Sequence, residues 1–499
     1  MLNVPQKISS RVRRGRVWAE DHFHLIRRTV WDIERGDART SGETKNKNQV
    51  NSSGKERKIV VKNISKITLA LAALAVGFAG TTHARADAVL DWNAIAANTV
   101  VASVPPRPGP VGFLDLAVVQ AAVYDAVQAI DRRYEPYHVV IPGASGSPEA
   151  AAAKAAHDVL VDIFPGQTAS LDTTYHDYLF NNRLAEDDPG VAVGEEAAAG
   201  ILDLRANDGR VPPLPWPVFA GGTQPGEWRP TPSYNPGPPP SFATMATPWL
   251  GAVPTFTIKS GDQYRPKPPP PLNSKRYAQD YNEVKALGSL VGSARTPEQN
   301  ALASFYPGNT MITFQRALRD IADAHLDNIG DHARLLALAD LAMADAVITA
   351  WDSKRHFVFW RPLSAIQEGN NDGNPATVGD PAWQPFLNTP NYPDYTSGFN
   401  NLVGSMTRML ALFFGTDEMT FTVTTTNPVP DPIRTYHRFS DMATDAVNVR
   451  IYHGIHFRFA DEEARKQGRH VAQWTFGHFL RPLGQGAAND AEDEDDDEQ

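Results

Sequence analysis

A proline-rich segment in the middle of this chain limits what the chain can fold into. Residues 211–272 carry dense prolines, including an unbroken run at 268–271. Proline fixes φ and removes a backbone donor, so this segment cannot be a helix. A flexible linker is one interpretation, but linkers seldom carry several tryptophans, and here there are Trp216, Trp228 and Trp249. We predict an ordered, extended wrap that packs its aromatic rings against a helical body.

The sequence on both sides of this segment has a helical pattern. Apolar residues recur at steps of three and four from Leu116 to Ile130, which gives a helix one apolar face. Alanine-rich stretches follow at 148–164 and 191–206. Helices resume at Ser274, and Thr296-Pro297-Glu298-Gln299 has the form of a capping box with proline at the first helical position.

Two later helices carry polar residues at their ends. One is predicted from about Asp331 to Trp351 and delivers Lys354 at or just past its end. Another is predicted over 399–414, stopped by Gly415, with a Ser-Gly pair at its start. Residues 420–426 are the best strand candidate. The predicted fold class is all-α, with two helical bundles joined by the Pro/Trp-rich extended connection.

These patterns divide the chain into six predicted parts. They are a polar extension (1–60), a signal peptide (61–86), an N-terminal helical bundle (87–210), the proline-rich wrap (211–272), a C-terminal helical bundle (273–485) and an acidic, disordered tail (486–499).

Residues 61–86 have the three parts of a secretory signal. Lys62 and Lys66 precede an apolar run, Ile67–Ala79, and Ala84-Arg85-Ala86 supplies an A-x-A cleavage pattern. The run is short for a membrane span, so cleavage after Ala86 is favoured over a membrane anchor or a buried helix. We predict export to the periplasm or beyond the cell, with no stable membrane insertion after cleavage.

The residues upstream of this signal are polar, which is unusual for a signal peptide. An alternative start codon at Val60 or Val61 would leave the residues before that codon untranslated.

Composition excludes several classes of function. The chain has no cysteine, which rules out disulfides, thiolate metal sites and cysteine nucleophiles. The net charge is -10, much of it in the tail, and the body shows no basic stripe, so a nucleic-acid partner is not expected.

Three short segments together suit a tetrahedral oxyanion. They are KRHFVFWRP (354–362), YTSGF (395–399) and RIYHGIH (450–456). Arginine grips oxyanions in a planar fork, lysine adds a point charge, and a Ser-Gly pair at a helix start adds N–H donors. Taken singly, each has an ordinary alternative: a surface cation, a helix cap, or a histidine satisfied in the core. Their combination and order are more specific than any one of them.

Lys354 and Arg361 are seven residues apart, so a continuous helix would place them on one face. Gly454 predicts a turn that leaves His456 free to point at whatever Arg450 binds.

With these motifs the chain resembles the superfamily of vanadium-dependent haloperoxidases and type 2 phosphatidic acid phosphatases, and within it a bacterial exported haloperoxidase-like branch. The family signature is Lys-x6-Arg-Pro, then Pro-Ser-Gly-His, then Arg-x5-His. Here the corresponding residues are Lys354…Arg361-Pro362, Thr396-Ser397-Gly398-Phe399 and Arg450…His456. Further matches flank the motifs and extend the resemblance to about Pro482; they are 91–93, 295–299, 350–354, 359–362 and 454–457.

The resemblance implies that vanadate is the cofactor and that one pocket holds it. Its oxygens would be bound by Lys354, Arg361, Ser397, Gly398 and Arg450. His456 would bond to vanadium, or act as the nucleophile in a phosphatase. Lys354 would also act in catalysis by polarising bound peroxide. Trp351 and Tyr392 match positions on the halide side of the haloperoxidase pocket, although core packing explains both equally well.

The chain departs from the signature at Phe399, where the family has an acid–base histidine. Such a group contributes about 10²–10⁴-fold to a rate, so its loss should be severe without being total. His356, His437 and His453 are candidates to reach in from elsewhere. The phosphatase pattern also expects an aspartate at position 460, where this chain has alanine and carries Asp461 one residue later.

Three functions follow from this comparison. The first is an exported vanadate-binding haloperoxidase that uses hydrogen peroxide to oxidise a halide or another two-electron donor, such as a small organic substrate. The second is an acid phosphatase with His456 as nucleophile. The third is an oxyanion-binding homologue that has lost turnover. A homodimer is an open alternative to a monomer.

Overall fold

Side chains that cap helix starts set many of the boundaries in this computed structural model. It describes residues 87–213, 215, 217–231 and 244–484, all within one compact unit, Thr82–Gln499. The predicted extension (1–60), signal peptide (61–86) and tail (486–499) lie outside the described residues.

Five helices make up the first part of the described chain. They are α1 (Ala88–Val101), α2 (Gly109–Asp131), α3 (Pro148–Ile163), α4 (Thr168–Asn182) and α5 (Pro189–Arg205). The side chains of Asp87, Ser147 and Asp188 accept backbone N–H bonds in the first turns of α1, α3 and α5. Each cap satisfies a donor that has no partner within its helix.

Eight helices and a hairpin follow the wrap. The helices are α6 (Lys275–Leu287), α7 (Pro297–Phe305), α8 (Thr310–His325), α9 (Ile329–Phe357), α10 (Pro362–Gln367), α11 (Gly398–Phe414), α12 (Phe439–Tyr452) and α13 (Arg458–His478). The predicted capping box is confirmed: Thr296 accepts from the Gln299 backbone while the Gln299 side chain accepts from Thr296.

The hairpin pairs β1 (Glu418–Thr424) with β2 (Ile433–Arg438) in antiparallel register. The predicted strand at 420–426 therefore lies two residues too late, and its partner strand was not predicted. Three short 3-10 turns complete the regular structure of the described residues: Pro165–Gln167, Leu250–Ala252 and Gly369–Asn371. The predicted all-α fold class is confirmed.

Helices α2 and α9 form the centre of one continuous hydrophobic core. α2 packs against α3, α5 and α9, and α9 packs against α11 and α13. α2 is apolar and long enough to cross a bilayer, but 89% of its most apolar window is buried inside the protein. It is therefore placed as a core helix.

Two glycines let α11 and α13 approach closely. A Cβ at Gly404 would lie 2.4 Å from the Arg465 carbonyl oxygen, and a Cβ at Gly468 would lie 2.2 Å from the Asn401 carbonyl oxygen. A side chain at either position would force the helices apart. This contact fixes α11, whose N-terminus carries the Ser-Gly pair.

The wrap bonds directly to the segment between α9 and α10. Trp228 is fully buried, and its backbone N–H donates to the Val358 carbonyl over 2.7 Å. In return the backbone N–H of Trp360 donates to the Gly226 carbonyl over 3.0 Å. The wrap thus braces the backbone that leads from Lys354 to Arg361.

A buried carboxylate attaches the wrap to α9. Asp345 is fully buried and accepts the backbone N–H groups of Phe256, Thr257 and Ile258 over 2.7, 2.7 and 3.1 Å. It also accepts the Thr257 hydroxyl. Four donors converge on one side chain, so their hydrogen bonds depend on it.

We expect Asp345→Asn to lower the free energy of unfolding by about 2–4 kcal/mol, because an amide NH₂ would face buried donors that lose their acceptor. Asp352→Asn is the matched control on the same helix. Asp352 holds Arg265 through two 2.7 Å bonds near the surface, and its loss should cost about 1 kcal/mol or less. Urea denaturation of both variants measures the difference; equal losses would contradict the anchoring role.

Candidate active site

The six residues predicted to bind an oxyanion all lie at helix ends. Lys354 is in the last turn of α9, Arg361 caps α10, Ser397 caps α11, Gly398 begins α11, Arg450 is in the last turn of α12, and His456 precedes α13. Lys354, Arg361 and Ser397 are fully buried and His456 is 1% exposed. Arg450 borders a cavity.

Lys354 and Arg361 do not share a helix face, which corrects the expectation from their spacing. α9 ends at Phe357 because Val358 adopts a left-handed conformation, with φ of 50°. The chain then turns, and proline at the first position of α10 starts a new helix after Arg361. Both cations reach the ring of Tyr392: its centroid is 5.0 Å from Lys354 Nζ and 4.8 Å from Arg361 Cζ.

Backbone carbonyls orient both buried cations. Lys354 Nζ donates to the carbonyls of Pro393 and Asp394 over 2.7 and 3.0 Å. Arg361 donates from Nε to the Tyr392 carbonyl over 2.8 Å and from Nη1 to the Ile455 carbonyl over 2.6 Å. Because carbonyls are uncharged, they hold these side chains in place without neutralising them.

The Ser-Gly pair forms the start of α11, as predicted. Ser397 is the cap residue and its Oγ accepts the Asn400 N–H over 3.5 Å. A Cβ on Gly398 would lie 3.0 Å from Trp351 Cζ3, so glycine allows the helix start to pack against that ring. The first N–H groups and the positive end of the α11 dipole lie at this point.

The turn predicted at Gly454 is present and places His456. Gly454 has φ of 75°, and a Cβ on Gly288 would lie 2.4 Å from the Gly454 Cα. This backbone crossing holds the loop between α12 and α13. His456 Nε2 lies 2.9 Å from Arg361 Nη1, so the third motif meets the first.

The site carries positive charge that its neighbours do not balance. Burial lowers the pKa values of Lys354, Arg361 and Arg450, and burial followed by the charge of Arg361 lowers the pKa of His456 well below its ordinary range. Arg361 Nη2 and Arg450 Nε are buried and have no hydrogen-bond partner among the described residues. Three cations, unused guanidinium donors and a helix N-terminus fit a multiply charged oxyanion such as vanadate or phosphate.

Two buried aspartates complete the site, and sequence analysis gave neither a role. Asp394 Oδ1 lies 2.7 Å from His456 Nδ1 and 3.7 Å from Arg361 Nη1. No hydrogen bond accompanies this contact with His456, because neither Asp394 carboxylate oxygen has a hydrogen-bond partner among the described residues. Burial raises the pKa of Asp394 to about 7 despite Arg361 and Lys354. An acidic residue three positions before Ser-Gly was the available sequence signal.

Asp461 stands in the first turn of α13, one residue after the alanine that departs from the phosphatase pattern. Its Oδ1 accepts the Asn400 Nδ2 over 2.8 Å, and burial raises its pKa well above the ordinary range. It therefore braces the first turn of α11.

Phe399 fills the position of the missing histidine with apolar contacts. Its ring is 5.8 Å from Tyr306, 5.7 Å from Phe314 and 4.8 Å from Arg450 Cζ. Of the three candidate histidines, His453 comes nearest to the site residues: its Nδ1 lies 3.3 Å from Arg450 Nη1. His356 and His437 are exposed elsewhere.

A cavity of about 320 Å³ leads to this end of the site. Its wall includes Trp351, Tyr392, Gly398, Phe399 and Arg450. The remaining lining is mostly apolar and comes from α9, α11 and the ends of α1, α2 and α8, with Arg107 just before α2. The two aromatic residues predicted on the halide side thus face the cavity, in contact with each other at 5.0 Å between ring centroids.

Comparison with known proteins gives the class of this fold. A bacterial vanadium-dependent iodoperoxidase structure matches with a TM-score of 0.66 and 24% identity, covering 80% of this chain and 97% of that one. An apo-type bacterial vanadium-dependent chloroperoxidase matches with a TM-score of 0.61 and 19% identity, covering 74% and 92%. The helical architecture is that of vanadium-dependent haloperoxidases.

Sequence comparison identifies a related family for the second half of this chain. Residues 334–485 match the family described as the VCPO second helical-bundle domain. Vanadium chloroperoxidase of Curvularia inaequalis is 27% identical over 213 residues, covering 36% of this chain and 34% of that protein, so the match spans about a third of that relative's length. The resemblance to vanadium-dependent haloperoxidases is confirmed.

Asp394→Asn should change the pH dependence of stability in anion-free protein. The folded pKa of about 7 exceeds the unfolded value of about 3.9, so the wild type loses stability as pH rises between them. The variant has no such carboxylate. Its free energy of unfolding should therefore rise relative to that of the wild type by up to about 4 kcal/mol from pH 4 to pH 7. Urea denaturation in phosphate-free buffers measures this gain. If the free energies of unfolding of the two proteins vary with pH in parallel, the pKa of Asp394 is not raised.

Proposed function

We propose that this protein is an exported, vanadate-binding enzyme of haloperoxidase type that uses hydrogen peroxide to oxidise a halide or another two-electron donor. The observation that carries the proposal is the convergence of Lys354, Arg361, Arg450 and the α11 N-terminus beside His456, with guanidinium donors left unused. The similarity to vanadium-dependent haloperoxidases supports vanadate as the oxyanion.

The residues divide the work of binding. Lys354, Arg361 and Arg450 would offset the charge of vanadate, Ser397 and the Gly398 N–H would donate to its oxygens, and His456 would bond to the vanadium. Asp394 lies at the opposite edge of the imidazole, with Oδ1 2.7 Å from Nδ1. When bound, vanadate supplies a Lewis acid that activates hydrogen peroxide without changing its own oxidation state.

Lys354 is the residue best placed for a catalytic role beyond binding. It is fully buried, and its ammonium group donates to two backbone carbonyls. The same nitrogen lies 5.0 Å from the centroid of the Tyr392 ring. A buried ammonium next to a bound anion would polarise peroxide oxygen more strongly than an exposed one, because the local dielectric is low.

Phe399 restricts the reaction. A phenyl ring cannot accept or return a proton, and its surroundings of Tyr306, Phe314 and Arg450 offer no general base. Proton transfer during peroxide binding would fall to water in the cavity. We therefore place iodide, bromide and sulfide oxidation within reach and chloride oxidation outside it.

The third function named above, oxyanion binding without turnover, is favoured by Phe399. The second, an acid phosphatase, is supported by the 2.7 Å contact between Asp394 Oδ1 and His456 Nδ1, which would orient a histidine nucleophile. Alanine at position 460 weighs against the phosphatase. Hydrolysis of nitrophenyl phosphate that vanadate inhibits would favour it over the peroxidase.

Vanadate titration with peroxide and bromide tests the proposal. We expect activity that saturates with vanadate and is lost in His456→Ala, while the exposed control His356→Ala keeps it. Phe399→His should raise the rate about 100-fold or more, because it restores an acid–base group. A wild type that binds vanadate without activity, with activity gained in Phe399→His, would favour the binding-only candidate instead.

Export has its own test. Protein recovered from outside the cytoplasm should begin at Asp87, as read by mass spectrometry of its N-terminal peptide. Recovery only from the cytoplasm, with residues 61–86 retained, would contradict the signal peptide.

A further inference from the structure

Arg450 is held differently from the other two cations of the site. Lys354 and Arg361 each donate to two backbone carbonyls. In the described part of the chain, the Arg450 guanidinium donates to no carbonyl and pairs with no carboxylate. Its hydrogen-bond contact there is with a side chain: Arg450 Nη1 lies 3.3 Å from His453 Nδ1. The orientation of Arg450 therefore depends on His453.

The two ring nitrogens of His453 have fixed roles. His453 directly follows α12 and is fully buried. Its Nε2 lies 2.8 Å from the Ala303 carbonyl, and because a carbonyl can only accept, Nε2 carries the proton. Nδ1 of a neutral ring is then an acceptor, and it faces a guanidinium, which can only donate. The two partners thus select the neutral tautomer that is protonated at Nε2.

The surroundings also keep this ring uncharged. Burial, and then the charge of Arg450, lowers the pKa of His453 well below its ordinary range. A protonated ring would turn an N–H on Nδ1 toward the N–H of the guanidinium. A neutral imidazole can orient Arg450 without cancelling its charge, whereas a carboxylate at the same place would form an ion pair with it.

The end of α7 makes the Ala303 carbonyl available to His453. In a continuing α-helix this carbonyl would accept the N–H of residue 307, but that residue is proline, which has no N–H. The carbonyl accepts from His453 instead. A second bond joins the same two helices, because Gln299 Nε2 donates to the Tyr452 hydroxyl over 3.1 Å. The acceptor that anchors His453 is therefore itself held in place.

The remaining sides of the Arg450 guanidinium face an aromatic ring and the cavity. The Phe399 ring lies 4.8 Å from Arg450 Cζ, and Arg450 contributes to the cavity wall. With Nη1 next to His453, the other N–H groups remain for an anion, including the unpartnered Nε. His453 is not part of the cavity wall, so it does not replace the proton transfer that Phe399 lacks.

We propose that His453 is a positioning residue of the oxyanion site. Its neutral imidazole, anchored on the Ala303 carbonyl, accepts from Arg450 and holds the guanidinium with its charge intact and its other donors free for the anion. This inference rests on the proposed function, because it assigns a role within the same site.

The affinity of the vanadate-free, full-length protein for inorganic phosphate tests this role. His453→Phe keeps a ring but removes the acceptor, so phosphate should bind about tenfold or more weakly, as for loss of a hydrogen bond to a charged group. His453→Asn can place an acceptor oxygen close to the position of Nδ1, and its affinity should stay within about threefold of the wild type. Isothermal titration calorimetry measures each dissociation constant.

His157→Phe is the matched control. His157 is a buried histidine on α3, a helix that contributes nothing to the cavity wall, and its replacement should leave phosphate affinity unchanged. The tautomer is measured on the wild-type chain, which keeps the test valid if His453→Phe fails to fold. In protein labelled with ¹⁵N at histidine, the NMR signals lost in His453→Asn should come from a neutral ring protonated at Nε2.

The outcomes separate the positioning role from the proposed function. Equal phosphate affinity in the wild type and His453→Phe, an equal loss in His453→Asn or His157→Phe, or a His453 ring protonated at Nδ1 would overturn the positioning role alone. A wild type that binds neither phosphate nor vanadate would overturn the proposed function and the positioning role with it. Phosphate binding that depends on His453, without peroxidase activity, would support the positioning role and contradict the proposed enzyme.

Discussion

Burial of positive charge without matching negative charge is the constraint on which the rest of this structure depends. Lys354 and Arg361 are fully enclosed, and the nearest carboxylates are poor counterions because burial raises their own pKa values. An isolated buried charge costs several kcal/mol, so the scaffold must be stable enough to hold the cations in place before an anion neutralises them. The continuous core around α2 and α9 supplies that stability.

The scaffold meets this requirement by fixing the ends of the helices, where the functional side chains lie. The backbone between Lys354 and Arg361 is bonded to the wrap at Val358 and Trp360. The start of α11 is held where the Ser397 N–H donates to the Ala460 carbonyl, and the His456 loop is held by the crossing at Gly288. Each functional side chain therefore lies on a short segment whose backbone is held by contacts with neighbouring segments. These contacts keep the side chains in fixed positions.

Much of this arrangement was predictable from sequence because it is local. The capping box at Thr296, the helix start after Ser397 and the turn at Gly454 each depend on a few adjacent residues, and all three are confirmed. The predicted shared helix face of Lys354 and Arg361 was wrong, because seven-residue spacing does not reveal the left-handed conformation of Val358. Asp394 was missed for a different reason: its partners His456 and Arg361 are distant in sequence, and single-sequence reasoning has no access to such pairs.

In the proposed binding site the donors would recognise charge and tetrahedral shape, and both properties are shared by vanadate and phosphate. Lys354, Arg361, Arg450 and the α11 N-terminus give no preference for one over the other, so much of the discrimination rests on the nitrogen of His456. Which anion the molecule holds then depends on supply, since occupancy follows the ratio of concentration to dissociation constant for each. Surroundings rich in phosphate would fill the proposed vanadate site with phosphate. Under the proposed function, the ambient vanadate-to-phosphate ratio would then control how much of the protein can react with peroxide.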